Sequence, residues 1–440
     1  MQVTVILLAM IAVIVPLWMG RRYGLLPLLS PLHLTGYFAA LGFALKVVAQ
    51  GQAPSLAFYA GFVSRPDALL AGALYLACFV GMLCLGYRLA VAPQDGRLDR
   101  FVARDVAGSL RHHGTQFWLS VAAIVLTVAI IHAQRGGGLG LAALLAQVNA
   151  DKQIAVGANG IGATLAGIKT LFVVPKCAFV LLLAHGLARD DRRAKGQAAL
   201  LGAVLVMVAA LSGDRFELVE LCLYAAIIWA VVDGGLRRGV VVAGLTGLAV
   251  AVLLAAQMTY LRGQASFWQQ IAGSTYFLDI NAAVIAVARA EADLRLWGES
   301  YLWWSWGWVP RAWWADKPAV DLGVYFKTVI AGQKSGGAFN VTGPGEAFIN
   351  FGWWGLLCAP VMGVLFRRIE VMLLGAKGLR NGGAVIYALL FYPFVQAMLQ
   401  SSFSAFVVGA VAQGVLIWAM LRIFVPRRRP AVAGGLAYAV

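Results

Sequence analysis

One stretch of the chain, from Glu299 to Gly355, carries most of the residue types that could do chemistry. Half of the Trp residues of the chain fall between Trp297 and Trp314; Arg311 lies among them, and Lys317 follows shortly after. Aromatic faces suit sugar rings, and fixed guanidinium and ammonium groups suit phosphates. The stretch therefore predicts a ligand that is both sugar-like and anionic.

Two interpretations of the Trp residues remain open. Trp is enriched where a membrane meets water, so the cluster is typical of an interfacial aromatic belt. The alternative is sugar stacking, for which Trp313, between Arg311 and Lys317, is the candidate. Pro310 and Pro318 restrict the backbone on either side of these residues and would hold both cations in place.

A carboxylate follows at a predicted helix start. Thr342-Gly343-Pro344-Gly345 leads into Glu346, in the first turn of a helix predicted to continue into the span 350–366. There Glu346 would orient or deprotonate a sugar hydroxyl, with Thr342 beside it. The helix dipole alone also favours a Glu in a first turn, so helix capping is the alternative role.

Further cations lie next to predicted membrane spans. A charged side chain at membrane depth is costly and normally faces a partner, a cavity or a pathway. Lys46 lies near the end of its span, where a flexible side chain is expected to reach the interface. The remaining candidates for binding an anionic ligand are Arg135 beside three glycines, Lys176 within an apolar run, Arg215 in a tight turn, and Tyr260 with Arg262 directly after a span.

The chain that must position these residues is a polytopic membrane protein. Apolar residues make up 61% of it, charged residues 12%, and the mean hydropathy is +0.80. A helix needs about 20 apolar residues to cross the hydrocarbon core. About eleven such spans are predicted: 2–20, 31–49, 68–90, 116–133, 165–188, 197–212, 216–232, 239–259, 350–366, 383–400 and 403–424.

Basic clusters mark alternate loops, which indicates that those loops are cytoplasmic. The N-terminus is then outside and the C-terminus inside. The chain is predicted to divide into four parts: helices one to eight (1–259), an extracytoplasmic loop (260–349), helices nine to eleven (350–424) and a basic cytoplasmic tail (425–440). The loop is expected to contain short helices, one of them an amphipathic helix over 277–294.

The net charge of +16 is explained by this topology, with anionic headgroups as its counterpart. The sequence contains no nucleic-acid-binding module, no nucleotide-binding loop and no spacing typical of a metal site. The five Cys residues all lie in apolar runs without C-x-x-C spacing, so no disulfide framework, metal or other cofactor is expected.

The order of four motifs, SGDR, YLRG, WVPRAWWADKP and TGPGEAFINFGWWG, resembles the Wzy-type polymerases of O-antigen and exopolysaccharide repeat units. The resemblance covers about 211–356, roughly a third of the chain. It implies an all-α GT-C-like glycosyltransferase of the bacterial inner membrane, with a periplasmic active site. Its substrates would be undecaprenyl-diphosphate-linked oligosaccharides, and a chain-length regulator would be a possible partner.

The resemblance also implies roles for single residues. Arg215, Arg262 and Arg311 would hold the diphosphates, and Glu346 would act on the acceptor hydroxyl in a metal-independent, inverting transfer. Three alternatives remain: an O-antigen ligase that transfers the glycan to lipid A core, a transporter of the lipid-linked glycan, and a structural membrane subunit. O-antigen ligases often have a His on the outer side, and only His132 could serve as that residue here.

Overall fold

The computed structural model describes residues 2–52, 65–93, 98–111, 113–135, 169–212, 215–234, 277–290, 292–309, 313–314, 316–333 and 338–426. Over these ranges the regular secondary structure is entirely helical. The α-helices are α1 (Gln2–Tyr23), α2 (Pro31–Ala39), α3 (Leu45–Gln52), α4 (Pro66–Leu89), α5 (Arg100–Gly108), α6 (His113–Arg135), α7 (Val173–Arg189), α8 (Arg192–Ser212), α9 (Arg215–Val232), α10 (Ile280–Arg289), α11 (Trp304–Gly307), α12 (Leu322–Tyr325), α13 (Gly343–Phe351), α14 (Cys358–Leu374), α15 (Ala376–Arg380), α16 (Gly383–Ile386), α17 (Tyr392–Gln400) and α18 (Phe403–Phe424).

Short 3₁₀ and π segments join some of these helices. The 3₁₀ helices are Lys169–Phe172, Ala292–Leu294, Glu299–Leu302 and Gly352–Leu357, and the π segments are Ala40–Ala44, Phe326–Ile330 and Tyr387–Phe391. Two of the π segments join the α-helices on either side of them, α2 to α3 and α16 to α17, and the segment Phe326–Ile330 continues α12.

Six helical stretches in the described part are long and apolar enough to cross a membrane: Gln2–Tyr23, Pro31–Ala49, Pro66–Leu89, Thr170–Arg189, Gly383–Gln400 and Phe403–Phe424. Each overlaps a predicted span, which confirms a polytopic, helical membrane protein. Helices α6, α8 and α9 cover three further predicted spans. The predicted span 239–259 lies outside the described residues.

The predicted span 350–366 is wrong as a single helix. The α-helix ends at Phe351, and Gly352 follows with φ 61°, a conformation that favours glycine. The 3₁₀ helix Gly352–Leu357 and then α14 continue the chain. Glu346 therefore lies in a separate short helix, α13.

Helix α4 lies at the centre of the described bundle, where α1, α10 and α14 pack against it. Glycines allow the closest approaches: a Cβ on Gly86 would be 2.0 Å from the Pro360 carbonyl oxygen, and one on Gly72 would be 2.7 Å from Val284. Helices α4 and α14 can therefore pack with their backbones in contact.

The expected amphipathic helix over 277–294 is shorter and differently placed. Helix α10 begins at Ile280 and ends at Arg289, and every residue from Ile280 to Ala286 is buried. Its apolar face packs on α4, and its other side is covered as well. A helix covered on both sides belongs to the core of the bundle rather than to its surface.

Several loops predicted to be cytoplasmic meet at one end of the bundle, here called the basic end. The Arg189 guanidinium donates to the Gly108 carbonyl (2.8 Å), Arg111 N–H donates to the Phe424 carbonyl (3.1 Å), and Arg367 donates to the Tyr23 carbonyl (2.8 Å). These contacts place the described parts of these loops on one side, as the alternation of basic loops predicts. Arg367, one residue after the predicted span 350–366, is nevertheless buried.

Candidate functional site

Helix α13 carries Glu346 and begins where the sequence predicts. Thr342 caps it, because its hydroxyl oxygen accepts a hydrogen bond from Gly345 N–H (3.2 Å). Pro344 in the first turn has no N–H that would need a partner. Thr342 itself has φ 65°, which is unusual for a β-branched residue. The T-G-P-G turn thus fixes the position of Glu346 at the first turn.

Both carboxylate oxygens of Glu346 are occupied, and the residue is only 1% exposed. The Ser300 hydroxyl donates to Oε1, and the backbone N–H of Phe403 donates to Oε2, each at 2.8 Å. Phe403 is the first residue of α18, so its N–H is one of the donors that a helix leaves unsatisfied at its start. Glu346 therefore joins three parts of the chain: α13, the Ser300 segment and α18.

Asn350, one helical turn after Glu346, extends this network. Its Nδ2 donates to the Ser300 hydroxyl oxygen and to the Glu346 carbonyl, both at 2.8 Å, and its Oδ1 accepts from Gly298 N–H at 2.8 Å. Leu296 N–H also donates to the Ile349 carbonyl (3.2 Å). The segment 296–300 is thus bound to α13 from Glu346 to Asn350.

Burial raises the pKa of Glu346 to about 7, although the hydrogen bonds from Phe403 N–H and Ser300 act in the opposite direction. The nearby Asp321 carboxylate raises it further. Asp321 caps α12 by accepting from Gly323 N–H (2.8 Å) and also accepts from the Ser402 hydroxyl (3.3 Å). A carboxyl whose pKa is near neutrality can both hold and release a proton at physiological pH.

Lys317, predicted to bind substrate, closes a loop. Its ammonium group donates to the carbonyls of Gly307 (3.2 Å) and Val309 (2.8 Å). Pro310 to Ala312 lie outside the described part of the chain, so the predicted role of Arg311 stays a prediction. Trp313 is 84% exposed, as expected both for a sugar-stacking residue and for an interfacial one.

Lys176, the other predicted lysine, lies 3.6 Å from the Glu220 carboxylate. The Tyr224 hydroxyl donates to the same carboxylate at 2.9 Å. Helices α7 and α9 are therefore connected by an ion pair that is partly exposed on both sides. Whether Lys176 also contacts substrate stays a prediction.

The other predicted ligand-binding residues cannot be placed against Glu346. Arg262 and Tyr260 lie outside the described residues. Arg215 begins α9 and Arg135 ends α6, but their side chains lie outside the described part. The convergence of Arg215, Arg262 and Arg311 on one diphosphate therefore stays a prediction.

Lys46 does not reach the membrane surface, contrary to the expectation from sequence. It is 1% exposed and forms a buried ion pair and hydrogen bond with Asp279, the N-cap residue of α10. Asp279 Oδ1 also accepts from Asn281 N–H at 2.8 Å. The signal that could have suggested this pair is a Lys within one apolar run and an Asp at the start of another, since such charges need a partner.

Ser300, Asn350 and Asp321 belong to the site and were not predicted. In the described residues, no group of three or more His, Cys, Asp and Glu side chains could hold a metal ion. Comparisons with protein-family models, with characterised proteins and with solved structures find no match to this chain. The argument for function therefore rests on the residues themselves.

Proposed function

We propose that this protein is a membrane glycosyltransferase that polymerises oligosaccharide repeat units carried on undecaprenyl diphosphate. The observation that carries the proposal is the packing of the segment 296–300 against the TGPGEAFINFGWWG motif (342–355), around a single buried carboxyl with a pKa of about 7. Of the four motifs that resemble the Wzy-type polymerases, this one supplies the carboxyl, and the segment that contacts it lies just before WVPRAWWADKP in the chain.

Glu346 takes the role of proton acceptor for the attacking sugar hydroxyl. Its Oε1 already accepts a hydrogen bond from an alcohol, the Ser300 hydroxyl. The acceptor hydroxyl would replace Ser300 at this oxygen, attack the anomeric carbon of the donor, and give up its proton to Glu346 as the C–O bond to the diphosphate breaks. Arg215, Arg262 and Arg311 would stabilise the departing diphosphate by charge-assisted hydrogen bonds. The product would have the inverted anomeric configuration.

The experiment uses the purified protein in lipid nanodiscs with a lipid-linked repeat unit, and it measures product length and substrate binding. Glu346→Gln should lower the rate by about 10²–10⁴-fold, the usual value of general base catalysis, while substrate binding is retained. The matched control is Glu299→Gln, an exposed carboxylate in the same segment. If Glu346→Gln made polymer of wild-type length at the wild-type rate, Glu346 would have only the role of capping its helix.

One specific observation favours the transporter as the alternative. Ion pairs connect helices at two places, Lys46–Asp279 and Lys176–Glu220, and such pairs mark transport pathways in some membrane proteins. Movement of an intact lipid-linked glycan across a vesicle membrane, without any polymer, would support this alternative. Polymer formation by the purified chain would exclude it as the main activity.

A further inference from the structure

An apolar groove opens on the outside of the bundle between α4 and the 3₁₀ helix Gly352–Leu357. Its volume is about 530 Å³, and its walls are made chiefly by Cys78, Gly81 and Met82 on one side and by Trp353, Trp354 and Leu357 on the other. None of the residues that line it carries a charge. Helix α4 is one of the membrane-crossing candidates, so this groove would open towards lipid chains.

A guanidinium lies beside Gly352, the residue that precedes the groove residue Trp353. The Arg295 side chain packs against Gly352, the residue before Trp353, so closely that a Cβ there would be 2.8 Å from Nη2. Its Cζ lies 6.0 Å from the ring centroid of Trp297, which is 69% exposed. Arg295 Nε is buried without a hydrogen-bond partner, and no carboxylate of the described residues pairs with this guanidinium.

A buried guanidinium N–H without an acceptor is costly, since desolvating a donor without a new partner costs free energy. An anionic oxygen would satisfy it. A phosphate group suits the planar geometry of Arg especially well. The cation, the exposed Trp297 beside it and the uncharged groove match the three environments that a lipid molecule spans: headgroup, interface and hydrocarbon.

We propose that Arg295 and this groove bind one anionic phospholipid of the surrounding bilayer, with its phosphodiester on the guanidinium and an acyl chain between α4 and Trp353. A single guanidinium matches the single charge of a phosphodiester better than the higher charge of a diphosphate. Binding of this lipid does not require that the protein be a glycosyltransferase. Because Leu296, next to Arg295, is hydrogen-bonded to Ile349, the lipid would also hold the 295–300 segment against α13.

The test is native mass spectrometry of the protein released from nanodiscs that contain equal amounts of phosphatidylglycerol and phosphatidylcholine. The wild type should retain phosphatidylglycerol, and Arg295→Gln should retain about tenfold less of it. Gly81→Leu should reduce retention of either lipid, because the new side chain fills the groove. No atom lies within 4 Å of a Cβ at Gly81, and Leu favours a helix, so this variant should fold normally.

Two controls match these variants. Arg289→Gln removes an exposed cation from the end of α10, and Gly409→Leu adds the same side chain to open space on another span; both should retain lipid as the wild type does. Equal retention by Arg295→Gln and the wild type, or no preference of the wild type between the two lipids, would overturn the proposal. Displacement of phosphatidylglycerol by an equimolar polyprenyl phosphate would also overturn it, and would reassign the groove to the substrate.

Discussion

Glu346 and Glu370 are both buried carboxyl groups that join distant parts of the chain, but they are stabilised in different ways. Glu370, at the basic end, accepts from the Arg367 guanidinium (3.2 Å), the Leu25 N–H (3.2 Å) and the Tyr87 hydroxyl. Glu346 accepts only from a hydroxyl and a backbone N–H. Glu370 therefore has a cationic partner, whereas both groups that donate to the Glu346 carboxylate are neutral.

This difference separates a structural carboxylate from one that can exchange a proton. A buried charge with a fixed counter-charge is costly to disturb, so Glu370 fixes α14 against α1 and α4. A buried carboxyl with neutral partners can change its protonation state near neutral pH. Mutation at the basic end is therefore expected to change the free energy of unfolding, and a change of pH is expected to change the protonation state of Glu346.

The largest effect is expected from breaking the ion pair at the basic end. Arg367→Met leaves Glu370 buried without its counter-charge, which should lower the free energy of unfolding by about 3–5 kcal/mol. The double variant Arg367→Met, Glu370→Met should recover at least part of this loss, because a well-packed apolar pair can replace a buried ion pair. The measurement is thermal unfolding in nanodiscs.

Arg368→Met is the control, because Arg368 is the exposed neighbour on the same helix. It should change the unfolding midpoint little. A double variant that is less stable than Arg367→Met would contradict the view that the unpaired charge, rather than lost packing, sets the cost.

A smaller effect is expected from pH at Glu346. The pKa in the folded protein, about 7, lies above its ordinary value of 4.5. Folding therefore favours the protonated form, so this contribution to stability is complete below pH 4.5 and is lost as the pH rises through 7. Between pH 5 and pH 8 the wild type should lose about 1–3 kcal/mol through this group.

Glu346→Gln should remove this part of the pH dependence, because Gln stays neutral and can accept from Phe403 N–H as Glu does. The measurement compares unfolding midpoints at pH 5 and pH 8 for both proteins, with Glu299→Gln as the exposed control. The same slope in the wild type and in Glu346→Gln would contradict a raised pKa of Glu346 in the folded protein.

Local patterns in the sequence predicted the helices and the start of α13, because hydropathy, a capping Thr and a Pro in the first turn act over a few residues. The partners of the buried charges could not be predicted. Lys46 and Asp279 are 233 positions apart, and Glu346 and Phe403 are 57 apart. Such pairs depend on how helices pack, which local periodicity does not determine.

The break at Gly352 shows the same limit at short range. The run 350–366 is apolar throughout, so hydropathy predicts one span. The positive φ of Gly352 depends on contacts that hydropathy does not contain: the hydrogen bonds of Asn350 to Gly298 and Ser300, and the Arg295 guanidinium against Gly352. These contacts hold α13 in a position in which Glu346 is buried and joins α13, the Ser300 segment and α18.

The smallest effect is expected at Thr342, where the contribution of helix capping to the stability of α13 can be measured separately from that of Glu346. Its hydroxyl caps α13, but its φ of 65° is strained for any residue with a Cβ. Thr342→Ala keeps the strain and loses the cap, so it should cost about 1 kcal/mol. Thr342→Gly loses the cap as well but relieves the strain, so it should be more stable than Thr342→Ala. Thr342→Ser keeps the hydroxyl and should resemble the wild type.

Unfolding midpoints at pH 5, where Glu346 is protonated, isolate the capping effect from the carboxyl group. If the Gly variant were less stable than the Ala variant, backbone strain would not be stored at Thr342, and α13 would be held by Glu346 and Asn350 alone.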